Sequence, residues 1–111
     1  MKRPKKAPKK APKKNITQKQ KIAQRDMPWG VGEAWFFRTV THHHTGRIKE
    51  ICGKFLVLED AAWIADDGRF RDCIEYGTPA EVEPIEGEFI LNTDSLVDAT
   101  KWKHPLPREQ R

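Results

Sequence analysis

Acidic side chains are missing altogether from the first 25 residues of this 111-residue chain. That stretch holds nine Lys and two Arg, a charge of +11. Residues 26–111 hold ten basic against sixteen acidic side chains, a balance of −6. Cysteine is scarce as well, with only Cys52 and Cys73, too few for a disulfide framework. Two reduced thiols in a cytosolic setting are therefore expected. No long apolar run follows the opening Met1-Lys2-Arg3-Pro4, so neither a secretion signal nor a membrane span is expected. A Gly-rich phosphate loop, a Ser-centred elbow and a paired-Cys motif are also absent. Those absences remove the usual sequence signals of phosphoryl and acyl transfer, and no enzyme, metal or cofactor is expected.

What is present divides into two domains. Residues 1–25 form a low-complexity basic arm in which Pro4, Pro8 and Pro12 punctuate the Lys pairs. Proline at every fourth position blocks helix and leaves extended backbone, and repulsion between the lysines keeps it solvated. From Thr17 onward the residues tolerate helix, and a short one is expected to begin there. The candidate anchor for a polyanion is the whole set of cations: Lys2, Arg3, Lys5, Lys6, Lys9, Lys10, Lys13, Lys14, Lys19, Lys21 and Arg25. The competing reading is a plain solubility tail.

Residues 26–111 hold all four Trp, all five Phe and the only Tyr, enough for one small domain with its own core. Trp35–Thr41 has the aromatic and β-branched composition of a strand. Thr45-Gly46 is expected to turn the chain into Arg47–Ile51, and Cys52-Gly53 to reverse it into the apolar run Lys54–Leu58. Ala61–Ala65 continues that run or bends away from it, and Asp66-Asp67-Gly68 breaks the pattern. Phe70, Cys73 and Ile74 then fall at helical spacing, with Asp66 or Asp67 as cap and Gly77 as a left-handed stop. Ala80–Ile85 reads as an edge strand because Pro84 cannot donate to a ladder. Glu86-Gly87 and Asn92–Asp94 turn the chain into two more strands, and His104–Pro107 ends regular structure. The spacing predicts a mainly β fold of five to six short strands with one short helix. A small SH3-like or Sm-like barrel fits it best, with a two-sheet sandwich as the alternative.

Candidate chemistry in this body is thin. Neighbours on a strand point to opposite faces, so of His42, His43 and His44 only the outer two could share an ion. Two ligands without Cys or a matched carboxylate make a poor metal site. Glu59–Glu88 contains ten carboxylates against Arg69 and Arg71. Asp66-Asp67-Gly68 lacks the remaining ligands of a calcium loop, so a solvated acidic face is the default. The acids expected to meet a partner are Glu59, Asp60, Asp66, Asp67, Asp72 and Glu75. Neither cysteine has a base nearby in sequence. Trp35 and Trp63 read as core, whereas Trp102, between Lys101 and Lys103, is a candidate for base stacking or a plug at one end of the barrel.

Arg38–Thr41, Thr45–Ile48, the run Leu56–Asp66, Gly68–Phe70, Asp98–Thr100, Trp102 and His104–Pro107 together resemble a group of short bacteriophage-type proteins. The resemblance covers roughly residues 35–107 and leaves the arm out. Gly46–Ile48 followed by Leu56–Asp60 is also weakly similar to the first half of Sm-like barrels. The first resemblance implies a phage origin and carries no activity or site with it. Two function classes follow. One is a structural protein of a phage particle, in capsid or neck, located in the virion and in host cytoplasm during assembly. Its arm would bind acidic protein surfaces, copies of itself or packaged nucleic acid. The other is a free nucleic-acid-binding module acting on RNA or DNA in the infected cell, with an acidic body that opposes it.

Overall fold

The computed structural model describes residues 27–111. The basic arm and the helix expected from Thr17 lie outside the described residues. Strand β1 (Ala34–Thr39), β2 (His43–Cys52) and β3 (Phe55–Asp66) run as a meander into helix α1 (Phe70–Tyr76). Strands β4 (Glu81–Pro84), β5 (Phe89–Asn92) and β6 (Leu96–Lys101) follow, with one 3-10 turn at Thr93–Ser95 before β6. All six strands form one antiparallel sheet in the order β4-β3-β2-β1-β6. Strand β5 also pairs with β3, and the last strand returns to the first. The described residues are mainly β with a single short α-helix, as their composition and spacing predict.

The long strand β3 serves two partners because it carries a bulge. Its first half pairs with β5 through Phe55–Leu58, and its second with β4 through Ala62–Asp66. Between them, Thr45 faces Ala62 and Arg47 faces Glu59, so Gly46 alone stands against both Asp60 and Ala61. Asp60 adopts φ 51, in the left-handed region that Asp tolerates better than most side chains. One extra residue inverts the alternation of faces that follows it. Leu56, Leu58 and Ala61 therefore point into one cluster with Phe37, Ile48 and Leu91. Ala62 and Ile64 point the other way, into a cluster with Phe36, Cys73, Val82, Trp102 and Leu106.

Strand β1 is consequently buried on both faces. Phe36 and Phe37 are adjacent, point oppositely, and are 1% and 0% exposed. Burying such a ring stabilises by about 1.5–3 kcal/mol, so this dipeptide contributes a large share of a small domain's margin. Phe89, Leu96 and Ala99 join the Phe37 cluster, which draws β5 and β6 around it. The Phe36 cluster is covered by α1 and the C-terminal segment. Trp102 lies 5.1 Å from His104 edge-on and stacks on Phe36 at 6.0 Å, with its indole N–H donated to the Pro105 carbonyl. It is 5% exposed, so Trp102 is a plug and takes no part in base stacking. Arg111 exchanges two backbone hydrogen bonds with Val82, so the segment ends as a partner to the edge strand β4.

Local signals held where turn chemistry was strong. Gly53 (φ 60) reverses β2 into β3, and Gly77 (φ 69) ends α1 with its N–H on the Cys73 carbonyl. Three expectations need correction. Thr45-Gly46 is no turn but the interior of β2, and the chain reverses earlier, at Val40–His42, where Thr39 and His42 exchange backbone and hydroxyl hydrogen bonds. Gly46 is required for a different reason: a Cβ there would lie 3.1 Å from Leu58 Cδ1 and 3.2 Å from its Cβ. Neither Asp66 nor Asp67 caps α1. Arg69 holds the cap position without a side-chain bond, because Asp66 accepts from the Gly68 N–H and Asp67 is engaged by His43. Trp63 is not core. It stands 39% exposed near the end of β3, past the reach of the apolar clusters.

Candidate interaction surfaces

The six acids predicted to meet a partner fall in two places. Glu59 and Asp60 sit at the bulge, while Asp66, Asp67, Asp72 and Glu75 lie at the end of β3 and on the helix that follows. Glu59 and Asp66 are seven positions apart along the strand, about 23 Å at a strand's rise. These groups do not make one continuous patch.

Most of them are already answered from within the domain. Asp60 accepts from the Arg108 guanidinium at 2.9 Å, with Arg47 at 3.9 Å. Asp67 Oδ1 is 2.9 Å from His43 Nδ1, and that carboxylate side chain is only 15% exposed. Arg69 lies 3.9 Å from Asp72, and Arg71 lies 3.5 Å from Glu75, one turn apart on α1. Asp66 accepts the Gly68 N–H at 2.8 Å. Exposed pairs of this kind add about 0–1 kcal/mol of stability each, but they lower the field left over for an outside cation.

Some polar contacts had no signature in the sequence, because their partners are far apart along it. Arg38 grips Asp98 through two guanidinium nitrogens at 2.7 and 2.5 Å, across sixty positions. That hydrogen bonding holds the Asp98 carboxyl below the usual range and raises Arg38. The same guanidinium lies 4.8 Å over the Phe70 ring, tying β1, β6 and α1 together. Glu33 collects the Gly30 N–H and the Trp35 indole N–H, with Lys101 at 3.6 Å. The bond from the Gly30 N–H is the main cause that lowers its carboxyl, followed by that from Trp35.

The three histidines separate as strand alternation requires. His43 points toward Phe36 and Asp67, while His42 and His44 share the other side with parallel rings 6.1 Å apart. His44 packs 4.6 Å from Phe89, and His42 lies 5.5 Å from Trp63. Burial, with His42 and His43 adding to it, pushes His44 down from 6.5 to about 4, so the ring is neutral at physiological pH. Its Nδ1 is buried without a hydrogen-bond partner. Among the described residues no group of three or more His, Cys, Asp or Glu converges as metal ligands. His104 is a structural loop residue, with Nε2 2.8 Å from the Ile74 carbonyl.

The two thiols differ in kind. Cys73 is fully buried, and burial, helped by the Asp67 charge, pushes it up to about 11. Cys52 is exposed at the end of β2, and its hydrogen bond with Glu50 raises it from the usual value. Only the thiolate reacts. Titration of the native protein with a thiol-reactive dye at pH 8 is expected to modify Cys52 within minutes and Cys73 only after denaturation. Two fast thiols in the native state would contradict the burial of α1 against the sheet.

No family model, curated protein or solved structure matches the chain. Among the described residues no helix is long and apolar enough to cross a membrane. The cations of the proposed anchor, Lys2 to Arg25, lie outside the described residues.

Proposed function

We propose that this protein is a non-enzymatic, virion-associated structural protein, a small β module whose basic arm anchors it to an acidic surface of the particle or to packaged nucleic acid. The observation that carries the reading is the division of charge, +11 over residues 1–25 against −6 over residues 26–111. A fold meant to bind phosphate with its own surface has no use for a net negative body. A tethered module does, because repulsion keeps the body off the polyanion while the arm holds on.

The geometry of the acids bears on where the arm goes. Asp60, Asp67, Asp72 and Glu75 each have a cationic or histidine neighbour within their own domain. A neighbouring copy's arm would compete with those partners, which favours an external polyanion over head-to-tail contact between copies. The residues behind the phage resemblance also fit a shared fold more than a shared site. Leu56–Asp66 spans the bulged strand, and Trp102 is its plug.

Particles purified from the source phage are expected to contain the protein in fixed copy number by quantitative mass spectrometry, and to shed it on washing with salt above about 0.5 M, where the Debye length falls to a few ångströms. Absence from clean particles would move the protein to the alternative class, a nucleic-acid-binding module of the infected cell. Retention at high salt would remove the electrostatic anchor.

A further inference from the structure

We infer that the free edge of β5 pairs with the same edge of a second copy, joining two sheets about a two-fold axis at Ile90. Three strands end the ladder among the described residues, and two of them are protected. Strand β4 carries Pro84, and Arg111 already takes both backbone groups of Val82. Strand β6 carries Asp98 and Lys101 and is interrupted by a bulge opposite Arg38 and Thr39. Strand β5, Phe89-Ile90-Leu91-Asn92, has no charge, proline or bulge, and β3 is its one ladder neighbour. Shortness is the only edge device it keeps.

The register fixes which groups are free. The Thr93 N–H donates to the Lys54 carbonyl, so Leu91 and Phe89, the alternate positions before it, also turn their backbone toward β3. Ile90 and Asn92 turn theirs away. Side chains follow the same alternation: Leu91 is buried in the Phe37 cluster, whereas Ile90 is 62% exposed on the outer face. Val57 lies directly opposite Ile90, and Phe55, itself 40% exposed, lies diagonal to it, so an apolar strip backs the edge. In an antiparallel copy centred on Ile90, each Ile90 N–H donates to the carbonyl of the partner's Ile90. Glu88 then stands opposite the partner's Asn92. The Oδ1 of Asn92 accepts the Asp94 N–H, which leaves its amide N–H groups to donate to that carboxylate. Glu88 is the single charge in residues 88–92, so no like charges face each other across the seam. That self-complementarity selects a second copy over a foreign strand. Four residues a side fall short of the ~1,000 Å² of a stable interface, so the contact is weak and forms at high concentration. It runs through the sheet edge and does not depend on what the arm binds.

Sedimentation equilibrium of the full chain is expected to show a monomer–dimer equilibrium with a Kd of about 10–500 µM. Ile90→Lys sets two ammonium groups against each other on the axis. It is expected to weaken association at least tenfold with an unchanged urea midpoint, because the position is exposed. Cross-linking locates the seam. Residues paired across such an axis have Cα atoms about 5.5 Å apart, within disulfide range. With the exposed thiol removed by Cys52→Ser, Ile90→Cys is expected to give a covalent dimer on mild oxidation. Val97→Cys, equally exposed at 62% but on β6, is expected to stay largely monomeric. A parent that remains monomeric up to about 1 mM, association unchanged by Ile90→Lys, or equal cross-linking from Val97→Cys would overturn the pairing.

Discussion

Deletion of residues 1–25 is expected to lower affinity for DNA, RNA or heparin by 10³-fold or more at 50 mM salt while the body remains folded. The two halves of that expectation rest on different physics. The arm supplies eleven positive charges and no negative ones. If six to ten of them neutralise phosphates, counterion release makes binding fall by about 10³–10⁵ between 50 and 200 mM salt. A plot of log K against log salt concentration should therefore be steep for the full chain and nearly flat for the truncated one. The body keeps its stability because both apolar clusters, among the described residues, are made within residues 29–106. Circular dichroism and urea unfolding of the truncated form should match the parent within about 1 kcal/mol. A second variant with Lys5, Lys6, Lys9, Lys10, Lys13 and Lys14 all changed to Gln keeps the length of the arm and removes six charges. It should lose most of the salt slope as well. If it binds like the parent while the deletion does not, the arm acts through its backbone and the anchor proposal is wrong. The same pair of variants, mixed with particles, distinguishes attachment to the virion from binding of free nucleic acid.

The charge division was legible because it is a property of composition. So were five of the six strands and the helix, whose periodicity and turn residues are local: Gly53, Gly77 and Gly87 all take the positive φ their contexts demand. Gly46 shows where that logic stops. A Thr-Gly pair reads as a turn, yet here the glycine is selected by the side chain of Leu58 on the neighbouring strand. Sequence cannot announce a requirement imposed twelve residues away. Trp63, expected in the core, stands exposed for a related reason. Burial depends on which face a position occupies and on what covers it, and the cover for Trp102 comes from Phe36. The acids were found as a run, but their partners His43, Arg47 and Arg108 could not be, since pairing at separations of 24, 13 and 48 positions leaves no pattern. Alternation alone did separate His43 from His42 and His44 correctly.

The same alternation makes Asp60 the residue that lets one strand serve two clusters. With the bulge, Leu56 and Leu58 enter the Phe37 cluster while Ala62 and Ile64 enter the Phe36 cluster. All four positions are even-numbered, so a straight strand that kept every residue would put one pair on the wrong face. Straightening with the first half in register expels Ile64 and loosens Val82 of β4, which lies opposite it. Straightening with the second half in register expels Leu56 and Leu58 from beside β5. Each large side chain returned to water costs about 1.5–3 kcal/mol, so either choice loses about 3–6 kcal/mol, and the chain holds φ 51 at Asp60 instead. Asp60→Val is therefore expected to destabilise by about 1–3 kcal/mol, because a β-branched side chain is strained at that φ and the bulge cannot be given up. Asp60→Gly provides the control. It forfeits the contacts to Arg47 and Arg108 but keeps the extra residue, and glycine takes φ 51 without steric cost. That variant should unfold cooperatively within about 1 kcal/mol of the parent. Deleting residue 60 removes the bulge and the extra residue together, so Glu59 and Ala61 become neighbours and the apolar side chains on both sides keep their faces. The deletion is expected to unfold cooperatively in urea and to lie closer to the parent than Asp60→Val does. Asp60→Val as stable as Asp60→Gly, or a deletion that no longer unfolds cooperatively, would mean that the face switch in β3 is not made by this one residue.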